Sequence, residues 1–175
     1  MRTVDTLWID APAGRVFRLA SEVERWPEIL SHYRWVRMLE SRADGGLVEM
    51  AAWRPFGALR WPTWWASEMS VNPQRREVRY RHVRGITSGM DVLWNVEPEN
   101  AGTRATIVHT WDGPAWPLIR RPAAEWVIGP IFVHGIASRT LAGIAAAAER
   151  ERHVVAKSVA SASSTSRNLP KETDA

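Results

Sequence analysis

Over residues 3–112 the chain reads as short alternating runs separated by turn residues. Thr3 to Asp10 alternates Val4, Thr6, Trp8 and Asp10 with Asp5, Leu7 and Ile9, the two-residue period of a strand. Asp10, Ala11 and Pro12 then open a helix, with Asp10 as its cap and Pro12 in the first turn, where a missing N–H costs nothing. Val16, Phe17, Leu19 and Ala20 form the apolar face of that helix. Trp26 to Leu30 predicts a second, short helix begun at Pro27. A series of strands follows. Tyr33 to Arg42 runs to a hairpin turn at Asp44-Gly45-Gly46, and Leu47 to Arg54 returns. Leu59 to Val71 is longer, and Pro62 marks an edge or a bulge near its start, because proline cannot donate to a ladder. Asn72-Pro73-Gln74 turns the chain. Glu77 to Val83 sets Val78, Tyr80 and His82 on one face and Arg79 and Arg81 on the other. Gly85 to Gly89 reads as a turn, and Ser88 to Glu97 gathers Met90, Val92, Trp94 and Val96. Past the turn at Asn100-Ala101-Gly102, Thr103 to Asp112 gathers Ala105, Ile107, His109 and Trp111.

The last third changes period. Trp116 to Ile128 is apolar with two arginines and a break at Pro122, which suits a pocket lid, an interfacial anchor for transient membrane contact, or a packed helix at an interface. Ile131 to Arg152 shows helical spacing through Phe132, Ile136, Ala137, Leu141, Ile144, Ala145 and Ala148. At 1.5 Å per residue it is about 33 Å long, enough to cross a sheet. Beyond His153 the composition collapses to Ser, Ala, Thr and Lys, which predicts a disordered tail over 154–175. Strands in series followed by a helix argue an α+β domain over residues 1–153. The sheet is antiparallel, of about seven strands, and curls around the long C-terminal helix. A helix laid across a curled sheet leaves a cavity unless large side chains fill it.

Composition narrows the function classes. A chain of 175 residues suits one domain. It has no cysteine, so neither a disulfide framework nor thiolate chemistry is expected. No apolar run precedes a cleavage site and no stretch of about 18 residues is continuously apolar, so a cytoplasmic protein is expected. The net charge is +4, but the arginines are spread among acids instead of clustered, so nucleic acid is not an expected partner. The five histidines show no metal-ligand spacing, and no phosphate loop, dinucleotide fingerprint or nucleophile elbow is present. Neither a metal nor a cofactor is expected. The unusual number is eleven tryptophans. Each buries a large area and needs a partner for its N–H. That is more than a small core holds easily, so some should line a cavity or form an exposed patch.

Three segments resemble a known family. Asp10-Ala11-Pro12 with Val16-Phe17 resembles its first strand-to-helix corner. Glu24-Arg25-Trp26-Pro27-Glu28-Ile29-Leu30 followed by Tyr33 resembles its second helix and is the most specific match. Gly89-Met90-Asp91-Val92-Leu93-Trp94 with Gly102-Thr103-Arg104 resembles its late hairpin. The family is the polyketide cyclase/dehydrase and lipid-transport superfamily (SRPBCC), related to START and Bet v 1 proteins. The resemblance implies the helix-grip fold and is nearest to aromatase/cyclases. In those, a cavity guides a flexible poly-ketone through aldol cyclisation and loss of water. It implies a pocket tyrosine at Tyr33. Where those relatives carry two pocket arginines, this chain has Met69 and His82. Methionine cannot polarise a ketone.

The candidate catalytic residues are therefore His82, His109 and Tyr33, since imidazole titrates near working pH and each histidine lies in line with apolar neighbours. The commoner case for a histidine on an apolar face is a structural one bonded to a nearby acceptor. The expected ligand-binding positions add Trp26, Trp65, Ser67, Met69, Tyr80, Met90, Val92, Trp94 and Trp111 on the sheet side. From the helix come Phe132, Ile136 and Arg139, the last as a substitute for the missing strand arginine. Ligand binding is the expected function, with a cyclase as the alternative and a partner-binding protein as the third reading. A binding module for a lipid, quinone or polyketide-like molecule predicts a large apolar cavity. A cyclase/dehydratase predicts that His82, His109 and Tyr33 converge. A partner-binding protein predicts a filled interior and a Trp-rich surface. A monomer and a homodimer both fit.

Overall fold

The chain order is β1 (Arg2–Ile9), α1 (Ala13–Ser21), a 3-10 turn (Val23–Arg25), α2 (Trp26–Ile29), β2 (Tyr33–Arg42), β3 (Gly45–Phe56), β4 (Leu59–Asn72), β5 (Glu77–Gly85), β6 (Asp91–Glu99), β7 (Gly102–Thr110) and α3 (His134–Ser166). The computed structural model describes residues 1–56, 59–113 and 134–166, with side chains over 1–53, 60–113 and 135–151. The seven strands form one antiparallel sheet in the order β1-β7-β6-β5-β4-β3-β2. Consecutive hairpins build it from β2 to β7, and β1 closes it by pairing with β7. This is the curved sheet and C-terminal helix expected from the alternating runs.

Alternation decides which face is buried. Val48, Met50 and Ala52 of β3, Thr63, Trp65, Ser67 and Met69 of β4, and Val78, Tyr80 and His82 of β5 all point to the concave side and are buried. Val92, Trp94 and Val96 of β6 and Ala105, Ile107 and His109 of β7 continue that face. Across it, α3 buries Ile136, Ala137, Thr140, Leu141, Ile144, Ala145, Ala147 and Ala148, an arc of roughly half its circumference at 100° per residue. The small alanines let the helix approach the aromatic sheet face. Arg15 and Arg18 of α1 meet Glu151 of α3 at 3.9 and 2.6 Å, tying the two helices together at the surface.

Several local expectations shift. The cap of α1 is Pro12, at φ −62° and ψ 140°, not Asp10, which lies two residues earlier and donates its N–H to Glu149 at 3.3 Å. Pro62 lies on an inner strand. It nevertheless faces no partner on the β5 side, because the β4–β5 ladder begins only at Trp65 and Gly85. The strand is locally an edge where proline sits. α3 runs 33 residues, and its backbone stays helical through Ser166, past the boundary at 153 where the composition suggested a tail. Residues 114–133, which hold the expected lid or interface segment 116–128 and Phe132, lie outside the described residues.

Candidate functional site

A small cavity lies between the concave sheet face and α3, with a volume of about 50 Å³. Its walls are Trp26, Tyr33, Met50, Trp65, Tyr80, His82, Met90, Val92, Trp94, Ile107, His109, Ile136, Ala137 and Thr140. Pairing register explains why these residues meet. Tyr80 faces Val92 across β5–β6, and Val92 faces His109 across β6–β7, so one row of the sheet carries Tyr80 and His109. Ser67 faces His82 across β4–β5 in the next row. The register slips between Ala66 and Ser67, leaving Val83 as an extra residue beside the site. Such bulges increase local twist and re-aim side chains.

Aromatic rings form a continuous wall. Trp26 lies 5.8 Å from Trp94 and 5.0 Å from Tyr33, edge-on to the latter at 69°. Tyr33 lies 6.1 Å from Trp65, which stacks on the His82 ring at 5.9 Å and 24°. These spacings fall within the favourable range for aromatic pairs. Trp26 sits at the start of α2, where its Nε1–H donates to the Leu19 carbonyl at 2.9 Å. The short Trp-Pro helix thus fixes a ring in the cavity wall.

The polar groups are few and each is held differently. His82 Nδ1 lies 2.7 Å from Thr87 Oγ1, both residues being buried. His109 Nδ1 lies 3.4 Å from Thr3 Oγ1, a long contact. His32 Nε2 lies 3.0 Å from Thr140 Oγ1 and links the start of β2 to α3. Ser67 Oγ and Tyr80 Oη are buried and have no hydrogen-bond partner among the described residues. Burial, then the nearby Tyr33, pushes the Tyr80 hydroxyl well above the ordinary phenol pKa. Tyr80 therefore stays a protonated donor. The cavity can offer hydrogen bonds and exchange protons between mostly aromatic and aliphatic walls. Among the described residues, no group of three or more His, Asp or Glu is placed to hold a metal ion.

Of the expected site residues, Trp26, Tyr33, Trp65, Tyr80, His82, Met90, Val92, Trp94, His109 and Ile136 do line this one cavity. Four do not. Arg139 is exposed, on a stripe of α3 shared with Ala142, Ala146 and Arg150, opposite the buried arc. A charge there stays in water instead of bearing the cost of burial. Trp111 is buried, but its Nε1–H donates to the Ser88 carbonyl at 3.0 Å, so it braces the β5–β6 loop. Met69 turns toward a separate surface groove of about 400 Å³, beside Val23, Met38 and Val71. Ser67 is buried on the concave face opposite His82 but does not line the cavity. Met50, Ile107, Ala137 and Thr140 were missed as lining residues. The alternation of Val48, Met50 and Ala52, and the helical spacing of Ala137 and Thr140, carried enough signal to find them.

The tryptophans divide as their number suggested. Trp26, Trp65 and Trp94 line the cavity, whereas Trp8, Trp61 and Trp64 are 48%, 62% and 39% exposed.

Residues 9–129 match the family model described as polyketide cyclase / dehydrase and lipid transport. A putative polyketide cyclase of Streptomyces cyaneus is 28% identical over 103 residues, covering 58% of this chain and 66% of the relative. The actinorhodin polyketide synthase bifunctional cyclase/dehydratase of Streptomyces coelicolor is 28% identical over 124 residues, covering 68% of this chain and 38% of the relative. The chain thus spans just under two thirds of the first relative and well under half of the second. Among solved structures, the Zhui aromatase/cyclase from Streptomyces sp. R1128 superposes with a TM-score of 0.71 at 19% identity, covering 86% of this chain and 94% of that one. That likeness reaches the whole helix-grip architecture. With the family model covering 121 of its 175 residues, the chain belongs to the polyketide cyclase/dehydrase and lipid transport family.

Proposed function

We propose that the protein takes a small, hydrophobic, ketone-bearing molecule into this cavity and promotes its aldol cyclisation with loss of water. The observation that carries the reading is that Tyr33, Tyr80, His82 and His109 line a single cavity whose remaining walls are mostly aromatic or aliphatic. A pure carrier needs only apolar walls, and four proton-bearing groups in so small a space exceed that need. In the reaction a base removes a proton from carbon next to one ketone. That carbon bonds to a second carbonyl carbon, and a donor protonates its oxygen. Loss of a second α-proton and of the new hydroxyl as water completes the ring bond. The two histidines supply proton acceptance and donation, and the tyrosines hold the carbonyl oxygens. The related chains named as cyclases support the substrate class.

Binding without turnover is the second reading, favoured by one observation: among the described residues no arginine or lysine lines the cavity, and Arg139 faces solvent. Native mass spectrometry with organic extraction, followed by assay on a synthetic aromatic-polyketide precursor, separates the two. A catalyst should turn the precursor over, with H82Q, H109Q and Y33F each lowering kcat by about 100-fold or more while still retaining the ligand. Retention of ligand with no turnover by the unaltered protein would establish the carrier. A clean unliganded mass with no shift on challenge would overturn both.

A further inference from the structure

The loop between β5 and β6 turns its side chains against the usual hydrophobic rule. Ile86 is 53% exposed, while the polar Thr87 beside it is 3% exposed. The loop is firmly held in this inverted state. His82 N–H donates to the Met90 carbonyl at 2.9 Å, and Gly89 N–H donates to the His82 carbonyl at 2.8 Å. Met90 N–H donates to the Thr87 carbonyl at 3.0 Å, and the buried Trp111 donates to the Ser88 carbonyl at 3.0 Å. Burying a threonine and exposing an isoleucine costs stability unless the hydroxyl has work inside. Its partner is the imidazole of His82, with Oγ1 2.7 Å from Nδ1.

The proton in that bond can sit in two places. If Nδ1–H donates to Thr87, the threonine hydroxyl must donate elsewhere or leave its own proton buried and unmade. Among the described residues Thr87 Oγ1 has only His82 Nδ1 within hydrogen-bond reach. Thr87 O–H donating to a bare Nδ1 keeps the threonine proton hydrogen-bonded, whereas the reverse bond strands a buried hydroxyl donor, which is expensive. The ring proton then resides on Nε2. Because Nδ1 is committed to the loop, whatever His82 offers the cavity it offers through Nε2.

We infer that Thr87 is a positioning residue that holds His82 as its Nε2–H tautomer, so that His82 faces the cavity as a hydrogen-bond donor and not as the base. A donor there polarises a carbonyl oxygen and protonates it as carbon–carbon bonding proceeds, which assigns proton removal to another group. The assignment of carbonyl chemistry rests on the proposed function; the tautomer does not.

The test reads the ring directly. Long-range proton–nitrogen correlation spectra of the ¹⁵N-labelled full chain, free of added ligand and at a pH where the ring is neutral, report which ring nitrogen carries the proton. Loss of one set of signals in H82Q identifies His82. The expected result is a protonated Nε2 and a bare Nδ1 in the unaltered protein and in T87S, which keeps the hydroxyl. T87V, similar in shape but without the donor, should show a mixture of the two tautomers. A protonated Nδ1 in the unaltered protein, or a T87V spectrum matching it, would overturn the inference. A collapse of T87V folding is recognised from its amide spectrum, and in that case the tautomers of the unaltered protein and T87S decide alone. Failure of the proposed function shows separately, as absence of bound ligand and turnover beside an intact Nε2–H signature.

Discussion

At the scale of single residues, Tyr80 shows how a functional wall departs from a stability optimum. Its hydroxyl is buried without a hydrogen-bond partner among the described residues, and burial with the nearby Tyr33 raises its pKa well above the ordinary value. Below the unfolded value of about 10 the phenol is neutral in both states and the fold keeps its full stability. Above it the unfolded chain gives up a proton that the folded chain retains, so stability falls as pH rises. Denaturant midpoints measured from about pH 8 to about pH 11 should therefore fall more steeply for the unaltered protein than for Y80F. Near neutral pH, Y80F should be unchanged or more stable by up to about 1 kcal/mol, because no hydrogen bond is lost. The same substitution should weaken retention of a ketone ligand. A variant equally pH-sensitive would place the alkaline transition elsewhere. That Tyr80, His82 and His109 lie in line with apolar neighbours was legible from strand alternation, and Tyr33 from the family resemblance, but that the four share one cavity was not. Thr87 was not legible. Between Gly85 and Gly89 nothing in the sequence separates an inward threonine from an ordinary turn residue, and local propensity even favours burying Ile86.

At the scale of elements, glycine marks where helices are free and where they touch. A Cβ on Gly14 of α1 would meet nothing within 4 Å, whereas one on Gly143 of α3 would strike the Leu30 side chain at the end of α2. Leu30 is itself fully buried and has little room to yield. G14A should raise stability by about 0.5–1 kcal/mol through helix propensity alone. G143A gains the same propensity but overpacks the α2–α3 contact, and should lose about 1–3 kcal/mol net. Thermal melts of the two variants check the contrast. A stabilised G143A would mean that α3 shifts outward easily. The misreading of Arg139 belongs to this scale. Ala142 and Ala146 share its exposed stripe, so Arg139 has small apolar neighbours one and two turns away on the outer face of α3. The spacing of Ile136, Leu141 and Ile144 marked the inner face, and contact with the sheet placed Arg139 on the other one.

At the scale of the whole molecule, the cavity is small for the ligands its family suggests. Its volume of about 50 Å³ holds one or two waters, while pockets for drug-sized ligands measure about 300–1,000 Å³. Entry of a multi-ring or poly-ketone molecule must displace wall side chains. Trp26, Trp65 and Trp94 are part of that wall, and the first two pack edge-on to Tyr33. Ligand binding should therefore change tryptophan emission and near-ultraviolet circular dichroism while leaving the far-ultraviolet spectrum unchanged. At about 100 times Kd it should also stabilise the fold by about 2.7 kcal/mol. Titration of the purified protein with an aromatic polyketide analogue reads both effects. Stabilisation without a change in tryptophan emission would locate the ligand elsewhere, with the groove beside Met69 the first place to look.

Binary patterning by itself determined the elements, their order, the inward faces of the strands and hence most of the cavity wall, because each strand reports its buried side independently of its neighbours. The Trp-Pro segment likewise announced its helix, and the chain's resemblance to its family was carried by such local corners. Tertiary structure decided what depends on distance between elements. Register set Ser67 opposite His82 and carried Tyr80 through Val92 to His109. Small residues on α3 drew the helix close and left only a narrow space over the aromatic face. The loop after β5 folded Thr87 onto Nδ1 of His82. Those outcomes follow from packing and from the need to satisfy buried polar groups, which no single segment of sequence can specify alone.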